Sequence, residues 1–407
     1  RDFGMNYLSS VDENGIIFTN GDNDTFPLWY AQETEGYRTD VRVCNLSYLQ
    51  TDWYVNQMKS QAYESDPLPI SMEELQYGNK KREYAYILDR VDYPVSVKMA
   101  MDYFLSDDER TKTIPGYGKI NHLPTGELFI DIDKEKILKS GIVPKGYENK
   151  IVDRIDLSFK DKNTLILNDL AIIDLLSTNA ETGWKRPVYF ATTVDPSFFT
   201  ETDKYFMRTG MAYEVVPVKL ENTPGRYQVN TDKMYDNVMN KFVWGGIDVN
   251  PDIYLDETIR RMCYSYRIMF IDLIDQLIQE GKTDKALKAL DYCMEKIPGD
   301  VVPHNYISLQ LAMDYYFLKQ NEKGKALLEK IADSAIEYVT WINSLDNNKK
   351  RSVQRDYYYN ERALAEQVIP MFYRFGDEES GKKYLEKAAL AGVDINRYFK
   401  IDTSKTN

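Results

Sequence analysis

Residues 15–46, GIIFTNGDNDTFPLWYAQETEGYRTDVRVCNL, constrain the fold most because strand and helix patterns alternate within a short length. The apolar run Ile16–Phe18 stops before Asn20 and Gly21, which is typical of a buried strand. Pro27 suits the first turn of a helix over 28–35, and 41–46 predicts a second strand. A strand, a helix and a strand joined this closely favour a parallel pair. The sequence therefore predicts an α/β domain with a mostly parallel sheet.

Polar residues follow both predicted strands. Ligands of open α/β sheets collect beyond the carboxyl ends of the strands, so these residues are candidates for a ligand site. The candidates are Asp22, Asn23, Asp24 and Thr25 after the first strand, and Asn45, Ser47 and Asp52 after the second.

The GDND sequence has three interpretations. Asp22 and Asp24 form an Asp-x-Asp pair that can hold a divalent cation (Mg, Mn or Ca) through oxygen ligands, as in glycosyltransferases that bind a sugar diphosphate. The cluster can also bind a polar ligand directly. Alternatively it is a tight turn whose side chains bond to their own backbone, which the turn preference of Asp, Asn and Gly favours. The helical spacing of the nearby Phe26, Trp29 and Tyr30 favours core packing.

Size and charge exclude several classes of function. With 407 residues, the chain is expected to form two domains. A net charge of -13 disfavours a nucleic-acid partner, because such binding depends on clustered Lys and Arg. The three cysteines lack CxxC spacing and are expected to be buried thiols, and only two histidines exist. Any catalysis would therefore depend on carboxylates.

The pattern changes from mixed to purely helical along the chain. We expect an α/β domain at 1–225 with an irregular insertion around 61–150, then a linker at 226–255. From 256 to 407 apolar residues recur every three or four positions, which predicts an all-α domain. The phrase LIQEGKTDKALKALDYCMEKIP resembles a tetratricopeptide repeat, and two further helical hairpins follow at 306–339 and 361–391. Three tetratricopeptide-like hairpins are enough to build a continuous core.

Several phrases together resemble one known family. They include FTNGDNDTFPLWYAQETEGYRTDVRVCNLS, LNDLAIIDLL and GWKRPVYFA. The chain is similar to the soluble C-terminal part of large Bacteroidetes-type membrane proteins, which are related to transmembrane protein O-mannosyltransferases and to glycosyltransferases of the C-type membrane fold. The resemblance implies a membrane-embedded half upstream of Arg1 that carries the transferase site. It also implies that this part faces the periplasm at the inner membrane.

Three functional hypotheses follow. The first is an accessory and acceptor-binding region of a glycosyltransferase that uses a lipid-linked sugar. Catalysis would then lie in the membrane half, an acceptor protein would bind the helical domain, and the isolated chain would be inactive. The second is a self-contained metal-dependent enzyme that binds a sugar nucleotide through Asp22 and Asp24. The third is a protein-interaction module without a ligand site.

Overall fold

The computed structural model describes residues 1–116, 118–353 and 355–393. The chain divides into two compact units, and the division falls between Gly245 and Gly246. This boundary lies inside the stretch 226–255 that the sequence predicts as a linker. Residues 228–241 of that stretch are nevertheless part of the first unit, because they add a strand to its sheet and a short helix beside it.

The first unit contains the strands of the α/β fold. They are β1 (Ile16–Thr19), β2 (Arg42–Asn45), β3 (Tyr84–Ile87), β4 (Val95–Ser96), β5 (Thr113–Ile114), β6 (Gly118–Lys119), β7 (His122–Leu123), β8 (Glu127–Asp131), β9 (Arg154–Ser158), β10 (Thr164–Ile166), β11 (Val188–Ala191), β12 (Phe206–Arg208), β13 (Ala212–Val215) and β14 (Gln228–Val229).

Its helices are mostly short. They are α1 (Asp2–Ser9), α2 (Asp22–Glu35), α3 (Asp52–Met58), α4 (Glu74–Tyr77), α5 (Val97–Leu105), α6 (Glu109–Lys112), α7 (Lys134–Ser140), α8 (Leu167–Glu181) and α9 (Thr231–Asp236).

The main sheet has six strands in the order β14-β12-β13-β11-β1-β2. Strand β1 lies between β2 and β11 and is parallel to both, while β13 is antiparallel to β11 and β12. Strands β12 and β14 are parallel, so three of the five pairs are parallel. All four residues of β1, β2 and β11 are buried, as expected for strands covered on both faces. The predicted α/β class is confirmed.

Three local predictions need correction. Helix α2 begins at Asp22 rather than Leu28, so the GDND sequence is a helix N-terminus and not a turn. Pro27 is tolerated inside α2 at the loss of one backbone hydrogen bond. Pro217 in the run MAYEVVPV predicts an edge strand over 211–218, but β13 stops before Pro217 and lies between β12 and β11 in the sheet. The stretch 61–150 contains short helices and strands, including β3, β4, β7 and β8 of two small three-stranded sheets. Strands this short do not show the alternation of apolar and polar residues from which a strand is predicted.

The second unit is helical. Its helices are α10 (Glu257–Gln279), α11 (Thr283–Lys296), α12 (Tyr306–Phe317), α13 (Asn321–Ser344), α14 (Asn347–Ser352), α15 (Arg355–Arg374) and α16 (Glu378–Leu390). The pairs α10/α11, α12/α13 and α15/α16 are the three predicted hairpins.

Small residues allow the paired helices to pack closely. A Cβ atom on Gly324 would lie 2.7 Å from the ring of Tyr316, and one on Gly381 would lie 2.5 Å from the ring of Tyr373. Ala286 occupies the corresponding place in the first hairpin and is buried. This is the close approach that the tetratricopeptide-like pattern predicts. Among the described residues, no helix has the length and apolar character needed to cross a membrane.

Candidate functional site

The carboxyl ends of three parallel strands meet at one edge of the main sheet. Two residues separate the end of β1 from the start of α2. Ser47 and then α3 follow β2. Thr192 and Thr193 follow β11, which the sequence prediction did not include. The name polar edge is used below for the residues 20–25, 45–47 and 192–193.

Asp24 is the buried centre of the polar edge. Its Oδ1 accepts a hydrogen bond from the Gly21 N–H at 2.8 Å, and its Oδ2 accepts one from the Asn20 N–H at 3.2 Å. The hydroxyl of Thr193 also donates to Oδ2, at 2.8 Å. Asp24 is the third residue of α2, so its bond to Gly21 closes a capping box. Three donors occupy most of the acceptor capacity of this carboxylate.

Thr25 and Asn45 form a second buried network. The Thr25 hydroxyl donates to the Thr19 hydroxyl at 2.7 Å and accepts a bond from the Asn45 side-chain N–H at 2.9 Å. The Asn45 side-chain oxygen accepts from the Tyr48 N–H at 3.0 Å. These bonds join the ends of β1 and β2 and leave the two side chains little capacity for a ligand.

The remaining predicted residues are nearer to solvent. Asp22 and Asn23 are exposed, and no hydrogen bond to either side chain exists within the described part of the chain. The Ser47 hydroxyl donates to the Asn20 carbonyl at 3.2 Å. Asp52 starts α3 and accepts bonds from the N–H groups of Trp53 and Asn79. The structure therefore places six of the seven predicted residues at the polar edge, and Asp52 lies beyond it at the start of α3. Of the seven, Asp22 and Asn23 are the two whose side chains make no hydrogen bond within the described part of the chain.

Carboxylates at the edge do not form a multidentate cluster. Residues 1–116, 118–353 and 355–393 contain no group of three or more His, Cys, Asp or Glu side chains placed to hold a metal ion. Asp22 is exposed, whereas Asp24 is engaged in capping. Cation binding by Asp22 and Asp24 stays a prediction.

A row of aromatic side chains lies beside the polar edge. The ring centroids of Phe26 and Trp29 are 5.6 Å apart, those of Trp29 and Tyr48 are 6.2 Å apart, and those of Tyr48 and Trp53 are 6.2 Å apart. We call these four residues the aromatic row. Phe26 is 46% exposed and Trp53 is 55% exposed, while Tyr30 is also exposed.

The expectation that Phe26 and Tyr30 are core residues is therefore wrong. Helical spacing gives aromatics one common face, but it does not tell whether that face meets the core or solvent. The sequence prediction also missed Tyr48 and Trp53. Tyr48 and Trp53 lie close in the chain to Asn45 and Asp52, and this spacing could have indicated that they belong to the same site.

At the opposite edge of the sheet, where β11 begins, Arg186 stabilises the fold. The Arg186 guanidinium is buried and donates to the carbonyls of Asn14, Asp66 and Pro67 at 2.9, 2.6 and 2.9 Å. Burial lowers the pKa of Arg186 to about 10. Arg186 lies two residues before β11 and anchors the start of that strand. The thiols of Cys44, Cys263 and Cys293 are buried, as expected.

The helical unit has a wide groove of about 1150 Å³. Aromatic residues on its wall include Tyr264, Tyr306, Tyr338 and Trp341, and charged residues include Arg260, Arg261, Glu337 and Glu361. Tyr306 is 67% exposed and Trp341 is 49% exposed. Burial raises the pKa of Glu361. We call this feature the helical groove.

Comparison with known proteins matches the chain to one family model. No curated protein and no solved structure matches the chain. The family model described as TMEM260-associated domain 2 matches residues 1–233, which include the whole polar edge and the aromatic row. Because this match covers more than half of the 407 residues, the chain belongs to the TMEM260-associated domain 2 family.

Proposed function

We propose that this chain is an extracytoplasmic accessory and acceptor-binding region of a membrane glycosyltransferase that uses a lipid-linked sugar. The observation that carries the proposal is the family match of residues 1–233, since TMEM260 is a protein O-mannosyltransferase. Catalysis would occur in a membrane-embedded half of the same polypeptide, at the periplasmic face of the inner membrane.

Hydrogen bonding at the polar edge supports an accessory role. A glycosyltransferase site needs carboxylates that are free to hold a cation or to move a proton. Asp24 caps α2 and bonds to Thr193, and Asn45 joins β1 to β2 through Thr25. These side chains stabilise the edge, which leaves Asp22 as its one uncommitted carboxylate within the described residues.

The helical groove is the proposed surface for an acceptor protein. Exposed aromatic side chains supply contact area at small cost in conformational entropy, and Tyr, Trp and Arg are enriched where proteins bind one another. Tyr306, Trp341 and Arg261 provide this combination along the groove.

The experiment uses the full-length protein that contains this chain. Initial rates of sugar transfer are measured against the concentration of a folded acceptor protein. Trp341→Ala is expected to raise KM about tenfold or more and to leave kcat unchanged, because the substitution affects binding and not chemistry. Tyr93→Ala, at an exposed aromatic residue of the first unit outside the aromatic row, controls for loss of an exposed ring that does not line the groove. An unchanged KM in Trp341→Ala would contradict acceptor binding in the groove.

A second candidate is a self-contained enzyme that binds a sugar nucleotide and a divalent cation. The observation in its favour is the exposed Asp22 carboxylate, two positions before Asp24 in α2. The isolated chain would then hydrolyse a sugar nucleotide in the presence of Mn²⁺, Mg²⁺ or Ca²⁺, and Asp22→Ala would abolish both hydrolysis and the thermal shift caused by the cation. This candidate is excluded if the isolated chain does not hydrolyse the sugar nucleotide and if none of the three cations changes its unfolding temperature.

A further inference from the structure

The aromatic row is a largely exposed surface of the first unit. Phe26 and Trp29 are three residues apart on α2 and therefore share one face of the helix. Tyr48 follows β2 and Trp53 lies in the first turn of α3, so separate elements bring the rings together. Phe26, Tyr48 and Trp53 are exposed and Trp29 is half-buried. The neighbouring ring of Tyr54 is buried. Clustered exposed aromatics mark interaction sites on protein surfaces.

Neutral amide side chains flank the two ends of the row. Asn23 lies three residues before Phe26 on α2, and Gln57 lies four residues after Trp53 on α3, so each shares a face with the ring at its end. Both side chains are exposed. An amide both donates and accepts hydrogen bonds, as a hydroxyl group does. The arrangement of rings with an amide at each end matches a ligand with apolar C–H faces and hydroxyl edges.

The charge around the row disfavours anionic ligands. Residues 22–35 and 48–58 contain the carboxylates of Asp22, Asp24, Glu33, Glu35 and Asp52 but no Lys or Arg. The loop that contacts Asp52 carries Lys80 and Lys81, and Lys81 pairs with Asp107 at 2.9 Å. Lys59 follows α3, and its ammonium donates to the Met72 carbonyl. The five carboxylates thus outnumber Lys59, Lys80 and Lys81, and they repel a phosphate, a nucleotide or an anionic membrane surface.

Stacking supplies the attraction for a neutral sugar. The face of an aromatic ring carries negative charge density and attracts groups with partial positive charge, including the polarised C–H groups of a pyranose ring. These four rings contact one another consecutively, so the row presents more than one ring to a ligand. A saccharide chain can cover such a row ring by ring.

We propose that the aromatic row, with Asn23 and Gln57, binds the neutral saccharide chain of an acceptor protein that is already glycosylated. The inference rests on the proposed function, in which this chain binds acceptors. A lipid-linked donor carries a phosphate next to its sugar, and the carboxylates around the row disfavour that charge. The row therefore recognises the glycan of the acceptor rather than the donor.

The test measures binding of mannotriose to the 407-residue chain by NMR and by tryptophan fluorescence. Trp53→Ala is expected to weaken binding about tenfold, which is the upper range for one stacking contact. Trp341→Ala is the matched control, because Trp341 is about as exposed but belongs to the helical unit. Gln57→Ala, which leaves the rings intact, is expected to weaken binding to a smaller extent. Mannose 1-phosphate is expected to bind more weakly than methyl mannoside.

Several results would overturn the proposal. The first is mannotriose binding that Trp53→Ala leaves unchanged. The second is tighter binding of mannose 1-phosphate than of methyl mannoside. The third is a chain that does not bind mannotriose but binds a basic peptide or phosphatidylcholine vesicles in a way that Trp53→Ala abolishes. Failure here is distinct from failure of the proposed function. If mannotriose does not bind but Trp341→Ala raises KM in the full-length protein, the accessory role stands and the glycan specificity is wrong.

Discussion

Two neighbouring carboxylates at the start of α2 have different roles. Asp24 is buried and accepts three hydrogen bonds, whereas Asp22 is exposed. Asp24→Ala is expected to lower the free energy of unfolding by about 1 to 3 kcal/mol, because it removes a cap and leaves buried donors without partners. Asp22→Ala is expected to change it by less than about 0.5 kcal/mol. Denaturant unfolding measures both changes, and equal losses would contradict this assignment.

A buried acid in the helical unit gives a pH-dependent prediction. Burial, with the nearby Asp275 carboxylate, raises the pKa of Asp314 to about 7. The Gln310 amide donates to one carboxylate oxygen at 2.9 Å, and the other oxygen has no partner among the described residues. The folded state holds this proton more tightly than the unfolded state does. Asp314 therefore contributes stability at low pH that is lost as pH rises from about 4 to about 7.

Asp314→Asn removes the titrating proton and keeps the hydrogen-bonding shape. Its stability relative to the wild type is expected to increase across that pH window, by up to about 1.4 kcal/mol per pH unit. Urea unfolding followed by circular dichroism at several pH values measures the difference. A difference that is the same at every pH would show that Asp314 has an ordinary pKa.

At the scale of elements, the helical hairpins depend on close approach at their small residues. Gly324 faces the ring of Tyr316, which stacks on Phe375 with 3.8 Å between centroids. Gly324→Ala is expected to cost about 1 to 3 kcal/mol because the added Cβ would overlap the Tyr316 ring. In a Tyr316→Ala background the same change should become neutral or stabilising, because alanine favours a helix over glycine. A double-mutant cycle by thermal unfolding measures this coupling, and additive effects would contradict it.

The elements differ in how well the sequence predicts them. The three hairpins were predicted closely because a period of 3.6 residues persists over long helices such as α10 and α13. The start of α2 was misplaced because Pro27 suggests a first turn, although the helix tolerates it at the sixth position. The small sheets of 61–150 could not be predicted, since strands such as β4 have only two residues.

The candidate site was predicted only in part. The strand and crossover pattern correctly brought Asp24 and Asn45 to one edge, because parallel strands share the direction of their ends. The sequence could not tell that Asp24 caps a helix, which depends on where α2 begins. It also could not show that Phe26 and Trp53 face solvent, since exposure depends on what packs against α2 and α3. The sequence predicted where these polar side chains lie, but it did not predict which of them are free to bind a ligand.

For the whole molecule, we propose that this chain binds the acceptor and that the chemistry lies elsewhere in the same polypeptide. The first unit offers an aromatic row, the second unit offers a helical groove, and the buried carboxylate of the polar edge stabilises the fold. The family match covers residues 1–233, and the proposed link to a glycosyltransferase rests on that match. The central claim is that sugar transfer does not use the polar edge as its catalytic site.

The most direct test is the kcat of sugar transfer by the full-length protein that carries Asp22→Asn. Asp22 is exposed, so this substitution is expected to preserve the fold while removing the one uncommitted carboxylate that the described residues place at the polar edge. The account predicts a kcat within about twofold of the wild type, since a catalytic or cation-binding carboxylate contributes at least about 100-fold. A loss of 100-fold or more on that scale would contradict the account and place the chemistry at Asp22.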